Sequence, residues 1–211
     1  MGTFSIVAYD EIEDAFGVAV CSKSIAVGSR VPWAKAGVGA IATQAFTNVR
    51  YGIEGLKLLE KGYSAKKTLE VLLSRDKRRE ERQVGIIDRN KEIAVHTGKE
   101  CVEWAGHKVG KYYAVLGNLI VGEVVIEKMA YAYETYDGDF IEKLMAAIDA
   151  GFVAGGDRRG HSSAAILVVK NNLTEEHNYS DRLIDLRVDF HTNPIYELKR
   201  ILELYRTVYN I

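Results

Sequence analysis

The order of the predicted strands and helices restricts the possible folds of this chain more than any other feature. Apolar and β-branched runs at 3–9 and 16–21 flank the polar segment 10–14, a pattern typical of an antiparallel hairpin. The later run of small and β-branched residues at 37–45 indicates a strand buried on both faces. The first part of the chain therefore predicts a block of β-structure against which other elements pack closely.

Helical patterns follow in pairs. The first pair has apolar residues at helical spacing on both sides of Ser64, a typical helix cap. A hairpin pattern over 83–97 and a strand pattern over 112–121 come next. The second helical pair contains Asp139 and Glu142, which have the spacing of a capping box. Two blocks of strands are thus each followed by two helices.

The chain ends with an apolar strand pattern at 163–170 and a helix whose start is marked by Asn193 and Pro194. This order differs from the single strand–helix crossovers of a doubly wound fold and favours an α+β layered sandwich. Each sheet would bury one face on the other sheet and one face on helices. We expect all 211 residues to form one domain, with a body at 1–170 and an extension at 171–211.

Charge and composition exclude several classes of partner. With 28 basic and 29 acidic residues the formal net charge is -1, so no overall field attracts nucleic acid or an anionic membrane. No apolar stretch approaches the length of a bilayer span, and the N-terminus lacks a signal-like core. Cys21 and Cys101 have no metal-knuckle spacing and are typical of reduced thiols. We expect a cytoplasmic protein.

Thr3 is the first candidate for chemistry because it lies at the extreme N-terminus, directly before a strand. A Thr hydroxyl can act as a nucleophile when its own freed α-amino group serves as the base, since that amine titrates near neutrality. Lys35, just before the buried run, would lower the pKa of that amine by charge repulsion. The alternative is that Thr3 only begins a strand and that Lys35 is a surface charge.

A strand-to-helix turn supplies the second candidate site. Thr43, Thr47 and Asn48 lie where the buried run ends and a helix begins. Hydroxyl and backbone N–H groups at such a turn can hold an anion or an oxyanion. The alternative is that Thr47 or Asn48 is an ordinary helix cap.

A glycine-rich loop before the strand at 163–170 holds the densest polar cluster. Its glycines permit close backbone approach, and its side chains could orient a proton network or clamp a carboxylate or phosphate. The loop has neither of the common glycine-rich nucleotide-binding patterns, so we expect no cofactor. The alternative is a tight loop with an ion pair between the acid and an arginine. The polar residues of this loop are Asp157, Arg158, Arg159, His161 and Ser162.

His96, Cys101 and His107 form a further possible cluster, whose spacing could supply three ligands to zinc. No fourth ligand and no HExxH helix is visible, so we assign no metal. A buried Cys101 and a hydrogen-bonded His96 are the simpler interpretation.

Seven short blocks of the sequence are similar to blocks of a known family. The chain resembles the family called domain of unknown function 1028, which is grouped with the N-terminal nucleophile (Ntn) hydrolases. The resemblance runs from Thr3 to about Val169. Its blocks are Thr3-Phe-Ser-Ile-Val-Ala-Tyr-Asp, Phe16-Gly-Val-Ala-Val, Val31-Pro-Trp-Ala-Lys-Ala-Gly-Val-Gly-Ala, Thr43-Gln-Ala-Phe-Thr-Asn, Ala94-Val-His-Thr-Gly, Trp104-Ala-Gly-His and Gly155-Gly-Asp-Arg-Arg-Gly-His-Ser-Ser-Ala-Ala.

The resemblance implies a four-layer αββα sandwich in which Thr3 matches the position of the superfamily nucleophile. Lys35 then falls where related proteins carry the lysine that tunes the amine, and Asp157 falls near their late aspartate. The amine of Thr3 is free only after cleavage of the Gly2–Thr3 bond. The resemblance permits this step, since proteasome-like precursors cut themselves at a Gly–Thr bond.

Two functions of different class follow from these residues. The first is an Ntn-type hydrolase of a small amide or acyl substrate, with Thr3 as nucleophile. The second is a non-catalytic protein that keeps Met1 and Gly2 and binds a small polar ligand. Its pocket would be lined by Thr43, Asn48, His96, Asp157, Arg158 and Arg159.

Tyrosines indicate self-association. The chain has 12 of them, with Tyr131, Tyr133 and Tyr136 in one short stretch. Tyrosine is enriched at protein interfaces, so we expect a homo-oligomer, most simply a symmetric dimer.

Overall fold

The architecture is an α+β sandwich of two antiparallel sheets covered by helices. The computed structural model describes residues 2–171, 173 and 180–209. The strands are β1 (Thr3–Asp10), β2 (Ala15–Ser22), β3 (Pro32–Lys35), β4 (Gly39–Ala45), β5 (Arg82–Asp88), β6 (Ile93–Thr97), β7 (Ala105–Gly110), β8 (Tyr113–Asn118), β9 (Ser163–Lys170) and β10 (Arg182–Val188). The α-helices are α1 (Arg50–Glu60), α2 (Ala65–Ser74), α3 (Glu123–Thr135), α4 (Phe140–Val153) and α5 (Pro194–Tyr209).

The two sheets form the inner layers. The six-stranded sheet has the order β10-β9-β2-β1-β8-β7, and the four-stranded sheet has the order β3-β4-β5-β6. Helices α1 and α2 pack on the smaller sheet, while α3, α4 and α5 pack on the larger one. The α+β sandwich predicted from the sequence is therefore confirmed, with its layers in the order helix, sheet, sheet, helix.

Three apolar cores separate the four layers. The largest lies between the six-stranded sheet and its helices, where Phe4, Met129 and Phe140 are fully buried. A second core fills the space between the sheets, and the third lies under α1 and α2. Apart from its last residue, β1 is buried on both faces, which is why it reads as a continuous apolar run rather than an alternating one.

The first hairpin has the predicted position and fixes a register that matters for the site. Tyr9 pairs with Phe16 next to the turn, and Thr3 pairs with Ser22 at the open end. The Asp10 carboxylate accepts backbone N–H groups within the connecting segment, which explains the acidic turn. The hairpin therefore carries Thr3 and Ser22 to the same point of the molecule.

Helix starts also match the sequence signals. The Ser64 hydroxyl accepts from the Lys67 N–H at 3.3 Å, so Ser64 caps α2. Asp139 and Glu142 form a reciprocal capping box at the start of α4, as predicted. Pro194 is the first residue of α5, where its missing N–H costs nothing.

Three strands were not predicted from the sequence. β3 and β7 are short and only partly buried, so they lack a strong apolar pattern. β10 lies in the expected extension, yet it pairs with β9 and forms an edge of the larger sheet. Residues 172 and 174–179, next to the expected boundary of that extension, lie outside the described residues. Among the described residues no helix has the length and apolarity needed to span a membrane.

Candidate functional site

The site forms where β1 begins and β2 ends. Gly2 and Thr3 are both buried, and Thr3 is the first residue of a strand that lies in the centre of the larger sheet. The antiparallel register brings Ser22 opposite Thr3 on one side and Asn118 of β8 opposite it on the other. Three chain segments distant in sequence therefore meet around one peptide bond.

The carbonyl oxygen of Gly2 is surrounded by hydrogen-bond donors. The Ser22 hydroxyl donates to it at 2.6 Å, and Nη2 of Arg159 donates at 3.2 Å. The Thr3 hydroxyl donates to the same carbonyl oxygen at 2.6 Å, and its oxygen lies 3.2 Å from Oγ of Ser22. The N–H of Ser24 donates to the Ser22 hydroxyl at 3.0 Å and thereby orients it. The carbonyl of the Gly2–Thr3 bond is thus polarised by two hydroxyls and a guanidinium.

Asp157 lies directly beside Gly2. Its side chain is fully buried, and its two oxygens accept from the backbone N–H groups of Lys23 and Arg159 and from the Arg159 guanidinium. A Cβ atom added to Gly2 would lie 2.5 Å from the carboxylate. Because four hydrogen bonds hold that carboxylate in place, only glycine fits before Thr3 without a local shift.

The glycine-rich loop places these groups by its backbone conformation. Gly155 and Gly156 both have positive φ, which carries the chain from the end of α4 into the site. His161 lies between the rings of Phe4 and Phe152 and accepts the N–H of Asp157 on Nε2 at 3.3 Å. Burial lowers the pKa of His161, so the neutral ring is the form that supports the loop.

A narrow cleft opens onto Thr3. Its volume is about 10 Å³, which is room for about one water molecule. Ser24 and Thr47 supply hydroxyl groups to its wall, and Ile25 and Val27 supply apolar surface. Arg30 is the one charged residue among the described residues that line it. The cleft therefore combines a buried hydroxyl, an apolar wall and one cation.

A chain of buried glutamines runs from Thr3 into the space between the sheets. Nε2 of Gln44 donates to the Thr3 carbonyl oxygen at 3.3 Å and to Oε1 of Gln83 at 2.8 Å. Nε2 of Gln83 donates in turn to the Thr97 hydroxyl at 2.9 Å. Oε1 of Gln44 accepts from Ser5 at 2.6 Å. This network satisfies polar groups in an otherwise apolar layer and fixes the start of β1.

Lys35 is not part of this cluster. It pairs with Gly39 at one end of β4, whereas Gln44, which contacts Thr3, lies five residues away near the other end. Five residues of strand span roughly 17 Å. Lys35 instead forms a half-exposed ion pair with Glu60 of α1. Its suggested effect on the Thr3 amine therefore has no support in the geometry.

The strand-to-helix turn is divided between two faces of the sheet. Thr47 lines the cleft at Thr3, but the side chain of Asn48 bonds to Asp76 at 3.1 Å on the far side. The Thr43 hydroxyl donates to the carbonyl oxygen of Asn48 at 3.3 Å and supports the turn itself. Of these three predicted residues, only Thr47 reaches the site.

The remaining predicted residues have structural contacts. His96 bonds through Nε2 to the carbonyl oxygen of Arg79, and Arg158 donates to the carbonyl oxygen of Glu103 at 3.4 Å. The backbone of Ser162 joins the site region to β2 through the carbonyl oxygen of Ser22 at 2.9 Å. Arg159 and His161 therefore contribute side chains to the cluster, while His96 and Arg158 lie outside it.

The possible zinc ligands do not form a common site. The Cys101 thiol donates to the carbonyl oxygen of Arg82, and Nδ1 of His107 bonds to the Thr97 hydroxyl. Within the residues that the structure describes, no group of three or more His, Cys, Asp or Glu side chains could hold a metal ion.

Comparison with known proteins supports the resemblance seen in the sequence. The sequence matches the DUF1028 family, a family of unknown function, over residues 3–198. The chain belongs to the DUF1028 family. The fold is similar to that of a DUF1028 protein from Silicibacter pomeroyi, with a TM-score of 0.89 and 29% sequence identity over 98% of this chain and 87% of that one. No curated protein matches the sequence.

The DUF1028 match extends beyond the end of the sequence resemblance near Val169. It includes β10 and the first turn of α5, in agreement with the pairing of β10 and β9. Ser22 is a member of the site that was not predicted from the sequence. The hairpin register was the available signal, because pairing Tyr9 with Phe16 places Ser22 opposite Thr3.

Proposed function

We propose that this DUF1028 protein is an Ntn-type hydrolase whose nucleophile is Thr3 and whose substrate is a small amide or acyl compound. The observation that carries the proposal is the environment of the Gly2 carbonyl oxygen. The Thr3 hydroxyl, the Ser22 hydroxyl and the Arg159 guanidinium all lie within 3.2 Å of it. A carbonyl held by two donors beside a nucleophilic hydroxyl is the arrangement that acyl transfer requires.

The first reaction would be cleavage of the Gly2–Thr3 bond by the chain itself. The Thr3 hydroxyl oxygen attacks the Gly2 carbonyl carbon and gives up its proton to water. The carbon–nitrogen bond then breaks, the nitrogen takes up a proton, and an ester joins Gly2 to the Thr3 oxygen. Water hydrolyses this ester, which releases the residues before Thr3 as a carboxylic acid and leaves a free Thr3 amine.

Ser22 and Arg159 would stabilise the negative charge that develops on the carbonyl oxygen during attack. Both are fixed before the reaction, since Ser24 orients the Ser22 hydroxyl and Asp157 holds the Arg159 guanidinium. Preorganised donors cost no reorganisation in the transition state, and one such donor is worth roughly a hundredfold or more in rate. The same two groups would serve a substrate carbonyl in the hydrolytic reaction.

Asp157 would act on the product of self-cleavage. Its carboxylate contacts the position of Gly2, so it lies close to the peptide nitrogen that becomes the Thr3 amine. A carboxylate near an amine favours the protonated amine, and Arg159 offsets this effect by neutralising the carboxylate. Asp157 is therefore a positioning and charge-balancing residue for the proposed base, in place of the more distant Lys35.

The test is a time course of intact mass for the full chain, followed by assay of the cleaved product on amide substrates. We expect a mass loss that corresponds to removal of the residues before Thr3. Thr3→Ala abolishes this loss, Thr3→Ser keeps it, and Ser22→Ala slows it about a hundredfold. Thr68→Ala is the matched control, because Thr68 is a buried threonine on α2 that does not contact the site.

Each outcome has a definite meaning. Cleavage that depends on Thr3 and Ser22 and is unchanged in the Thr68→Ala variant supports the proposal. A chain that keeps Gly2 throughout, although it is fully folded, contradicts the hydrolase. That result would favour the alternative of a non-catalytic protein that binds a small polar ligand in the same region.

A further inference from the structure

A polar groove rimmed by cations lies on the outer helical layer, away from Thr3. It runs along one face of α1 beside the C-terminal end of α2 and has a volume of about 450 Å³. This volume is within the range of small-ligand sites. The groove lies on the opposite face of the four-stranded sheet from the cleft, so it is separate from the proposed active site.

Cations form the rim of this groove. Arg50 and Lys57 lie about two turns apart on α1, Lys61 directly follows that helix, and Arg75 follows the end of α2. Among the described residues no carboxylate forms an ion pair with Lys57, Lys61 or Arg75. Four residues separate Lys57 from Lys61, which is about 6 Å along the helix axis. Three cations that are unpaired within the described ranges therefore lie around one concave surface.

The two acidic residues that line the groove already form ion pairs or hydrogen bonds within the protein. Glu54 accepts two hydrogen bonds from the Arg50 guanidinium, at 2.9 and 2.7 Å. Asp76 is bonded to Arg82 at 2.8 Å and to the Asn48 amide at 3.1 Å. Burial opposes its ionisation, but these bonds hold the pKa of Asp76 well below its usual range. Neither acid is free to neutralise the unpaired cations.

The floor of the groove is apolar. Leu72 and Tyr51 are buried there, and Leu58 is half-buried between the two helices. The buried Tyr51 hydroxyl lies near the Asp76 carboxylate, and burial together with that charge raises its pKa. Tyr51 therefore stays neutral and adds no charge to the floor. Asn48, predicted from the sequence to line a ligand site, lines this groove rather than the cleft.

We propose that the α1–α2 groove binds an elongated small molecule with two or more anionic groups. The unpaired cations of both helices would contact the anionic groups, and the apolar floor would receive the carbon skeleton. The net charge of the chain is -1, so the attraction is local and does not arise from an overall positive field. The proposal is independent of the hydrolase, since none of its residues contacts Thr3 or Asp157.

The test is titration of the full-length protein with pyrophosphate and, separately, with citrate at constant ionic strength, followed by amide chemical shifts. We expect saturable shifts confined to α1, α2 and the turn at Asn48. The preferred probe identifies the anionic group as phosphate or carboxylate. Lys57→Ala and Arg75→Ala should each weaken binding about tenfold, because each removes a charged contact.

The matched control is Lys66→Ala, which removes an exposed lysine of α2 that does not line the groove. This variant should bind as the unchanged protein does. Equal weakening in the control would show general attraction to a basic surface and would overturn the proposal. The absence of saturable shifts with both probes would overturn it as well, whether or not the Gly2–Thr3 bond is cleaved.

Discussion

The cluster around Thr3 and the α1–α2 groove are both rich in charge, but their charges are used in opposite ways. At Thr3 the Asp157 side chain is fully buried and bonded to Arg159, and the Thr3 and Ser22 hydroxyls are both hydrogen-bonded. In the groove, Lys57, Lys61 and Arg75 face solvent, and no carboxylate in the described part of the chain pairs with them. In the first region Asp157 and Arg159 already neutralise each other, whereas the cations of the second region remain available to a ligand.

The two regions should therefore respond differently to mutation. A buried charge that loses its partner is left in a medium that solvates it poorly, so the cost falls on folding. An exposed cation is solvated by water, so its removal leaves stability unchanged and weakens only the binding of a ligand that it contacts. The Thr3 cluster should therefore be sensitive in stability measurements, and the groove should be sensitive only in binding measurements.

The largest expected effect comes from removing the buried carboxylate. Asp157→Ala leaves the Lys23 N–H and the partly exposed Arg159 guanidinium without their shared acceptor, and it should lower the free energy of unfolding by about 3 kcal/mol. Urea denaturation measures this loss. Lys57→Ala, in the groove, should unfold at the same urea concentration as the unchanged protein. Similar behaviour of the two variants would remove the distinction between the regions.

A smaller loss is expected when a methyl group is added beside the same carboxylate. Gly2→Ala places a Cβ atom 2.5 Å from Asp157, which four hydrogen bonds hold in place. Displacement of that carboxylate should cost about 1–3 kcal/mol and slow cleavage before Thr3. Gly122→Ala is a control for added bulk alone, because a Cβ atom there meets nothing within 4 Å and the backbone is extended. An unchanged cleavage rate in Gly2→Ala would show that the carboxylate moves freely.

The free energy of unfolding should also depend on pH, through His161 beside the Thr3 cluster. Burial lowers the pKa of His161 below 6.5, so the unfolded chain binds a proton more readily than the folded one. The free energy of unfolding should therefore fall as the pH is lowered from about 6.5 to 5. His161→Gln should reduce this fall in urea denaturation. Burial also lowers the pKa of His107, which therefore contributes a second part of this fall in stability. His107→Gln measures that part.

The smallest effect on stability and cleavage is expected when Lys35 is replaced by alanine. Lys35 forms a half-exposed ion pair with Glu60, far from Thr3 along β4. Lys35→Ala should leave urea denaturation unchanged within error and cleave before Thr3 at the rate of the unchanged chain. A large loss of cleavage by intact mass would restore the role that the family resemblance suggested for this lysine.

Much of the fold could be predicted from local patterns. The hairpin of β1 and β2, the Ser64 cap and the Asp139 capping box depend on residues close together in the chain, so their signals are readable in sequence. β10 could not be found in this way. It is a partly exposed edge strand, and its stability comes from pairing with β9. The pattern of a strand weakens when one face and one edge are open.

The candidate site was predicted only in part for a related reason. Thr3, Asp157, Arg159 and His161 were recognisable as polar residues at unusual positions. Ser22 was overlooked because it follows a buried strand without any motif, and it gains its role from the hairpin register. Asn48 and Thr47 are adjacent in sequence, yet they face opposite sides of the sheet.

The sequence by itself determined the classes of element, their order and the chemical groups available for reaction. Those properties follow from side-chain volume, periodicity and hydrogen-bonding capacity, which are local. The tertiary structure alone decided that Ser22 and Arg159 converge on one carbonyl oxygen while Lys35 lies elsewhere. It also decided that three lysine and arginine side chains share a groove. Such convergence depends on how sheets and helices pack, and packing is set by contacts between residues that are distant in the chain.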